Sequence, residues 1–127
     1  MNTQYFIKLK FVKRYLFHTL VILGALLYSG NTFGQIKVVQ YNAGWNVAND
    51  VQWLKEKKSL TDCKVSYVNI EEDKQAQSKN KIVIVPTIII FNAGEEVKRY
   101  QADISFKLVA TKDEMQEFID ELIMSDF

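Results

Sequence analysis

Three residue types that build most reactive centres are nearly missing. The 127-residue chain holds one Cys (Cys63), one His (His18) and one Pro (Pro86). A lone Cys excludes an intrachain disulfide, a thiol pair and a Cys-rich zinc site. Without a His or Cys cluster, and with no Ca²⁺-loop pattern among the acids, no metal site is expected. Glu71-Glu72-Asp73 and Glu95-Glu96 read instead as solvated turns. Charge of one sign is missing too: 16 Lys and Arg face 15 Asp and Glu, a net +1, which is not the balance of a nucleic-acid binder. No glycine-rich phosphate loop or dinucleotide fingerprint is present, so no cofactor is expected. There is no repeat, low-complexity tract or linker, and 127 residues at 48% hydrophobic content suffice for one globular domain.

The N-terminal segment has a composition of its own. Residues 1–34 carry Lys8, Lys10, Lys13 and Arg14 and no acid. An apolar run from Tyr15 to Tyr28 follows, broken only by His18 and Thr19, and then Ser29-Gly30-Asn31-Thr32-Phe33-Gly34. A basic start, an apolar middle and a small-residue end are the order of a secretory signal peptide. The run is short of the ~20 residues that span a bilayer. Cleavage after Gly34 is expected, with Thr32 and Gly34 at the two small-residue positions; the alternative is an uncleaved anchor. The expected organisation is 1–34 signal peptide and 35–127 a single domain, periplasmic or secreted and free of the membrane after cleavage. Taking the four basic residues from 16 leaves 12 against 15 acids, a net −3, with no His for a Ser-His-Asp set.

Ile36–Tyr41 is a β-rich run ended by the turn formers Asn42-Ala43-Gly44. Val47–Leu60 is expected to be a helix, with Val47, Val51 and Leu54 on one face. Lys64–Ile70 is expected to be a strand with apolar bias on both faces, as in a covered sheet. Glu71–Lys81 is polar, a short helix or a loop. Ile82–Val85 and Thr87–Phe91 are apolar runs on either side of Pro86, and Asn92-Ala93-Gly94-Glu95 turns the chain into a hairpin partner, Glu96–Gln101. Phe106–Val109 reads as a short connector. Thr111 begins TKDE, a capping box, and Met115, Phe118, Ile119, Leu122 and Ile123 then recur at helical spacing. The expected class is α/β: a mixed four-stranded sheet in the order β-α-β-α-β-β-α with helices on both faces.

Pro86 interrupts apolar sequence where a central strand would need its N–H. A trans Pro opening a strand and a cis Val85–Pro86 bond both accommodate it. The whole pattern resembles thioredoxin. Val39-Gln40-Tyr41-Asn42-Ala43-Gly44-Trp45 is similar to the strand and Trp that lead into the thioredoxin redox motif. Ile84-Val85-Pro86-Thr87 resembles that family's cis-proline segment, and Phe91-Asn92-Ala93-Gly94-Glu95 its hairpin. The resemblance spans about residues 36–124. It implies a thioredoxin-like fold, a cis Pro86 and a peptide groove beside it formed by Trp45, Asn46, Val85, Pro86 and Thr87.

The same alignment shows what has changed. The two redox cysteines of the family fall on Asn46 and Asn49 in Asn46-Val47-Ala48-Asn49. An amide cannot attack a disulfide. The family's buried acid falls on Gln40, and the Gly facing the cis-proline on Ala102. No catalytic residue is therefore assigned. Asn46 is expected to cap the following helix, bonding the N–H of Ala48 or Asn49. Trp53 is expected to pack, and Trp45 to pack on the loop or anchor an interface. Cys63 is the possible reactive thiol, its pKa eased down by Lys64, or else a half-buried small hydrophobe. Three functions follow as expectations: an exported, non-catalytic module binding a protein or peptide through the groove; a monothiol redox protein acting through Cys63; or a structural subunit of an envelope assembly pairing through a free sheet edge.

Overall fold

The computed structural model describes residues 35–126; the segment 1–34, with the expected signal peptide and its cleavage site, lies outside the described residues. β1 (Ile36–Asn42), β2 (Lys64–Asn69), β3 (Thr87–Asn92) and β4 (Glu95–Gln101) form one sheet in the order β2-β1-β3-β4. β1 runs parallel to β2, with Val38 opposite Val65, and antiparallel to β3, with Val38 opposite Ile90. β3 and β4 are a hairpin in which Asn92 faces Glu95. The expected β-α-β-α-β-β-α order and mixed four-stranded sheet are the observed ones.

Side chains alternate across the sheet and so feed two cores. Ile36, Val38, Ile88 and Ile90 meet Val51, Leu54, Leu60 and, from α3 (Lys112–Ser125), Met115 and Ile119. On the other face Val39, Tyr41 and Ile89 meet Ile82, Val85 and Ala76, the last from α2 (Lys74–Lys79). Ile88, Ile89 and Ile90 are all fully buried, each contributing about 1.5–3 kcal/mol by leaving water. α3 begins with the capping box read from the sequence. Thr111 N–H donates to Glu114 Oε2 at 3.0 Å, and Glu114 N–H to Thr111 Oγ1 at 3.2 Å.

The segment after β1 departs from expectation. In place of a helix over 47–60 there is a 3₁₀ stretch, Gly44–Asn49, and then α1, four residues long (Gln52–Lys55). Asp50 and Val51 between them are extended, with ψ of 143° and 101°. Asn46, Asn49, Asp50 and two β-branched valines are weak helix formers. The polar side chains find partners that a continuous helix would deny them. Val47 is 56% exposed rather than on the buried face. β2 is also not covered on both faces: it lies at the sheet edge, its residues exposed or half-buried. Ile82–Val85 joins no strand; it crosses the second core as irregular chain before Pro86.

Candidate functional site

The C-terminal end of β1, the 3₁₀ stretch and the turn before β3 converge around Asn46. The Val85–Pro86 peptide bond is cis. Pro86 and Thr87 are buried, and Ala102 N–H donates to Pro86 O at 3.0 Å, which sets Ala102 against the proline. Thr87 Oγ1 donates to Ile84 O at 2.6 Å and closes the turn.

Asn46 is 4% exposed. It does not cap a helix through a backbone N–H. Its Nδ2 donates to Asn42 Oδ1 at 3.0 Å and to Val85 O at 3.3 Å, and its Oδ1 accepts from Asn49 Nδ2 at 2.8 Å. The two positions aligned with the redox pair are thus joined by a side-chain hydrogen bond. Asn42 Nδ2 donates to Asn46 O and to Asp50 Oδ1. Gln40, 2% exposed, donates from Nε2 to Asp50 Oδ1 at 3.1 Å and accepts from Val51 N–H at 3.0 Å. Asp50 closes the chain with an ion pair to Lys55 at 2.7 Å. No buried side-chain polar atom among the described residues lacks a partner. The result is a row of amides ending on one carboxylate, with no thiol in it.

Two clefts flank this row. One, about 400 Å³, reaches toward β2 and is lined by Gln40, Asn42, Asp50, Lys55 and Tyr67 among others. The second, about 310 Å³, lies between Trp45 and Phe106 on one side and Ile82–Val85 on the other, with Glu71 and Lys74 at its rim. Glu71 Oε2 accepts from Gly44 N–H at 3.0 Å, and a Cβ at Gly44 would come within 2.8 Å of that oxygen. Only a glycine lets the carboxylate approach there. Trp45 is 62% exposed and meets Phe106 edge to face, centroids 5.2 Å apart. The N–H groups of Val83, Ile84 and Val85 donate to no backbone carbonyl among the described residues.

Comparison with solved structures identifies the architecture. A mutant thioredoxin from Halobacterium salinarum superposes with a TM-score of 0.56 at 18% identity, covering 69% of this chain and 74% of that one. A thioredoxin from Plasmodium falciparum gives 0.53 at 18% identity, covering 73% and 87%. One from Fasciola hepatica gives 0.50 at 24% identity, covering 78% and 89%. The fold is thioredoxin-like. No family model matches the chain, and no curated protein sequence does.

Against this fold the expected groove residues separate. Trp45 and Val85 line the second cleft, whereas Asn46, Pro86 and Thr87 lie beneath its surface. Cys63 is half-buried and packs against the first core, away from the amide row. Burial, and secondarily the Asp62 carboxylate, raises its pKa from the ordinary value. The expected lowering by Lys64 is not what the structure gives. Two residues were not singled out from sequence: Asp50, which returns a carboxylate to the neighbourhood of Gln40, and Phe106, which walls the cleft.

Proposed function

We propose that this chain is an exported, non-catalytic protein-binding module that holds an extended partner segment in the cleft between Trp45, Phe106 and Val83–Val85. The observation that carries the reading is the exposed Trp45 lining one cleft with Val83–Val85, whose backbone N–H groups donate to no backbone carbonyl among the described residues. Unpaired backbone donors beside an apolar wall suit an extended peptide, which supplies carbonyls along its length. The amides at 46 and 49 leave no thiol for disulfide exchange, and Cys63 is held protonated in a packed environment, so binding is favoured over redox chemistry. Export is inferred from the signal-like composition of residues 1–34, and on this reading the domain works in the periplasm or outside the cell.

The test is a library of immobilised extended peptides probed with the wild-type protein, Trp45→Ala and Cys63→Ser, with and without DTT. Binding that survives DTT and Cys63→Ser but falls at least tenfold in Trp45→Ala supports the module. Capture that disappears with DTT and with Cys63→Ser would replace it by the monothiol reading. Mass spectrometry of the exported protein should find a chain beginning at Gln35.

A further inference from the structure

The sheet has two outer strands, and they are guarded unequally. β4 carries Glu95, Glu96, Lys98 and Arg99 along its length, and its ladder with β3 shifts register between Ile90 and Phe91. Charges and bulges are the means by which an edge refuses a further strand. β2 has neither. It pairs with β1 in unbroken register, and between Lys64 and Glu71 it carries no charge. Val65 and Val68 are half-buried, and Tyr67 is 48% exposed.

The outward groups of β2 follow from the ladder. Ile70 N–H donates to Asn42 O at 3.0 Å, and Asn42 stands opposite Asn69. In a parallel pair the backbone groups of successive residues point alternately to one side and the other. Those of Lys64, Ser66, Val68 and Ile70 therefore face β1, and those of Val65, Tyr67 and Asn69 face outward. Among the described residues the three outward N–H groups and the carbonyls of Val65 and Tyr67 meet no backbone partner, while Asn69 O accepts from the N–H groups of Glu72 and Asp73.

The two ends of β2 differ in sign. At its start Lys64 lies beside Lys37 of β1, both exposed, with Asp62 on the turn before. At its end come Glu71, Glu72 and Asp73, all exposed, with Lys74 after them. An antiparallel partner of the same sequence sets each basic end against the other's acidic end.

We infer that β2 is the pairing edge of a symmetric dimer, in which a second copy of this chain adds its own β2 antiparallel and continues the sheet. One register opposes all three outward residues. Tyr67 meets Tyr67 of the second copy on the two-fold axis, and Val65 meets Asn69. This supplies about four main-chain hydrogen bonds, two between the Tyr67 residues and one from each Asn69 N–H to the facing Val65 O. Such a contact is self-complementary and closes at the dimer. The two Cys63 thiols fall at opposite ends of the paired strands, so no disulfide joins the copies. The inference does not depend on the Trp45 cleft being a binding site.

The test is sedimentation equilibrium of the exported protein over a wide concentration range, with and without DTT. A monomer–dimer equilibrium indifferent to DTT and to Cys63→Ser is expected. Tyr67→Pro removes the N–H on the axis and should weaken the dimer at least tenfold with circular dichroism unchanged. Lys64→Glu, which sets like charges together, should weaken it as well. The register is read by cross-linking in the Cys63→Ser background. Facing residues of a hydrogen-bonded antiparallel pair have Cα atoms about 5.5 Å apart, within disulfide reach. Oxidised Tyr67→Cys should therefore cross-link. Val65→Cys should not, since its two copies stand about 14 Å apart along the strands. A monomer at every concentration, whether or not another segment covers β2, overturns the inference. So does a dimer that DTT or Cys63→Ser abolishes, or equal cross-linking of Val65→Cys and Tyr67→Cys.

Discussion

Replacing Asp50 by Ala is the sharpest test of the amide row. Asp50 Oδ1 accepts from Gln40 Nε2 and Asn42 Nδ2, and its other oxygen pairs with Lys55. Gln40 and Asn42 are 2% and 6% exposed, so water entering from the adjoining cleft replaces the lost acceptor only in part. Each buried donor left unpaired costs about 1–3 kcal/mol. Two such donors, together with a partly screened ion pair worth about 1 kcal/mol or less, give an expected loss of about 3–5 kcal/mol. A domain of this size has about 5–15 kcal/mol in all, so the variant should lose a large share of its stability. Lys55→Ala is the control. The Lys55 side chain is 45% exposed, so the pair is partly screened and its loss should cost about 1 kcal/mol or less. Urea unfolding followed by circular dichroism gives both numbers, at unchanged denaturant slope. If Lys55→Ala costs as much as Asp50→Ala, the ion pair and not the satisfied amides holds the site. If Asp50→Ala costs under about 1 kcal/mol, the burial argument itself is wrong.

Three further outcomes are expected. Ala93 and Gly94 form the two-residue hairpin loop with φ of 51° and 84°, so Ala93→Asn should raise stability by about 1 kcal/mol in the same urea assay, Asn tolerating this conformation where Ala does not. An unchanged midpoint would contradict it. Thr111→Ala removes one half of the capping box and should cost about 1 kcal/mol, whereas Thr111→Ser should cost little; equal losses would show that the hydroxyl is not the active group. Burial raises the Cys63 thiol above its ordinary 9.0 and the Tyr41, Tyr67 and Tyr100 hydroxyls above 10.0. The folded state keeps these protons longer than the unfolded chain, so this part of stability is whole below about pH 9 and is lost as pH rises through the raised values. Stability should fall above pH 9, with the earliest part of the fall missing in Cys63→Ser; a flat profile from pH 8 to 11 would refute the burial.

What sequence could reveal was local pattern. The capping box at Thr111 and Glu114, the Asn92–Glu95 turn and the β-rich and apolar runs that form β1 and β3 are all set by neighbours within a few positions, and each is found as read. The misread helix over 47–60 shows the limit. Its apolar spacing was helical, yet Asp50 is drawn back to β1 by Gln40 and Asn42, a contact no periodicity encodes. The run of Asn46, Asn49 and Asp50 was the available warning, since such residues compete for backbone-breaking hydrogen bonds. Phe106 was hidden in a different way. Its partner Trp45 lies far away in sequence, although Asp103 followed by Ser105 was a signal that a built turn, not a bare connector, lay there.

The chemistry of the amide row bears on why the site would bind rather than react. Apolar residues at 40, 42, 46 and 49 could fill the same space, but they would leave the Val51 N–H without its acceptor Gln40 Oε1 and Val85 O without Asn46 Nδ2. The amides meet those needs and one another's: Gln40, Asn42 and Asn46 each both donate and accept, and Asn49 donates to Asn46. That makes the row cooperative, because changing one member strands its neighbours. A cooperative buried row fixes the 3₁₀ stretch that carries Trp45 and, through Val85 O, the segment that faces it across the cleft. The two walls are then tied to one rigid element. A surface that must present unpaired N–H groups to an extended chain gains affinity from being set in advance, since less ordering remains to be done when the partner arrives. On this argument Asn46→Ala should weaken peptide capture even though Asn46 lies beneath the cleft. A variant that keeps full affinity would show that the walls hold their places independently of the row.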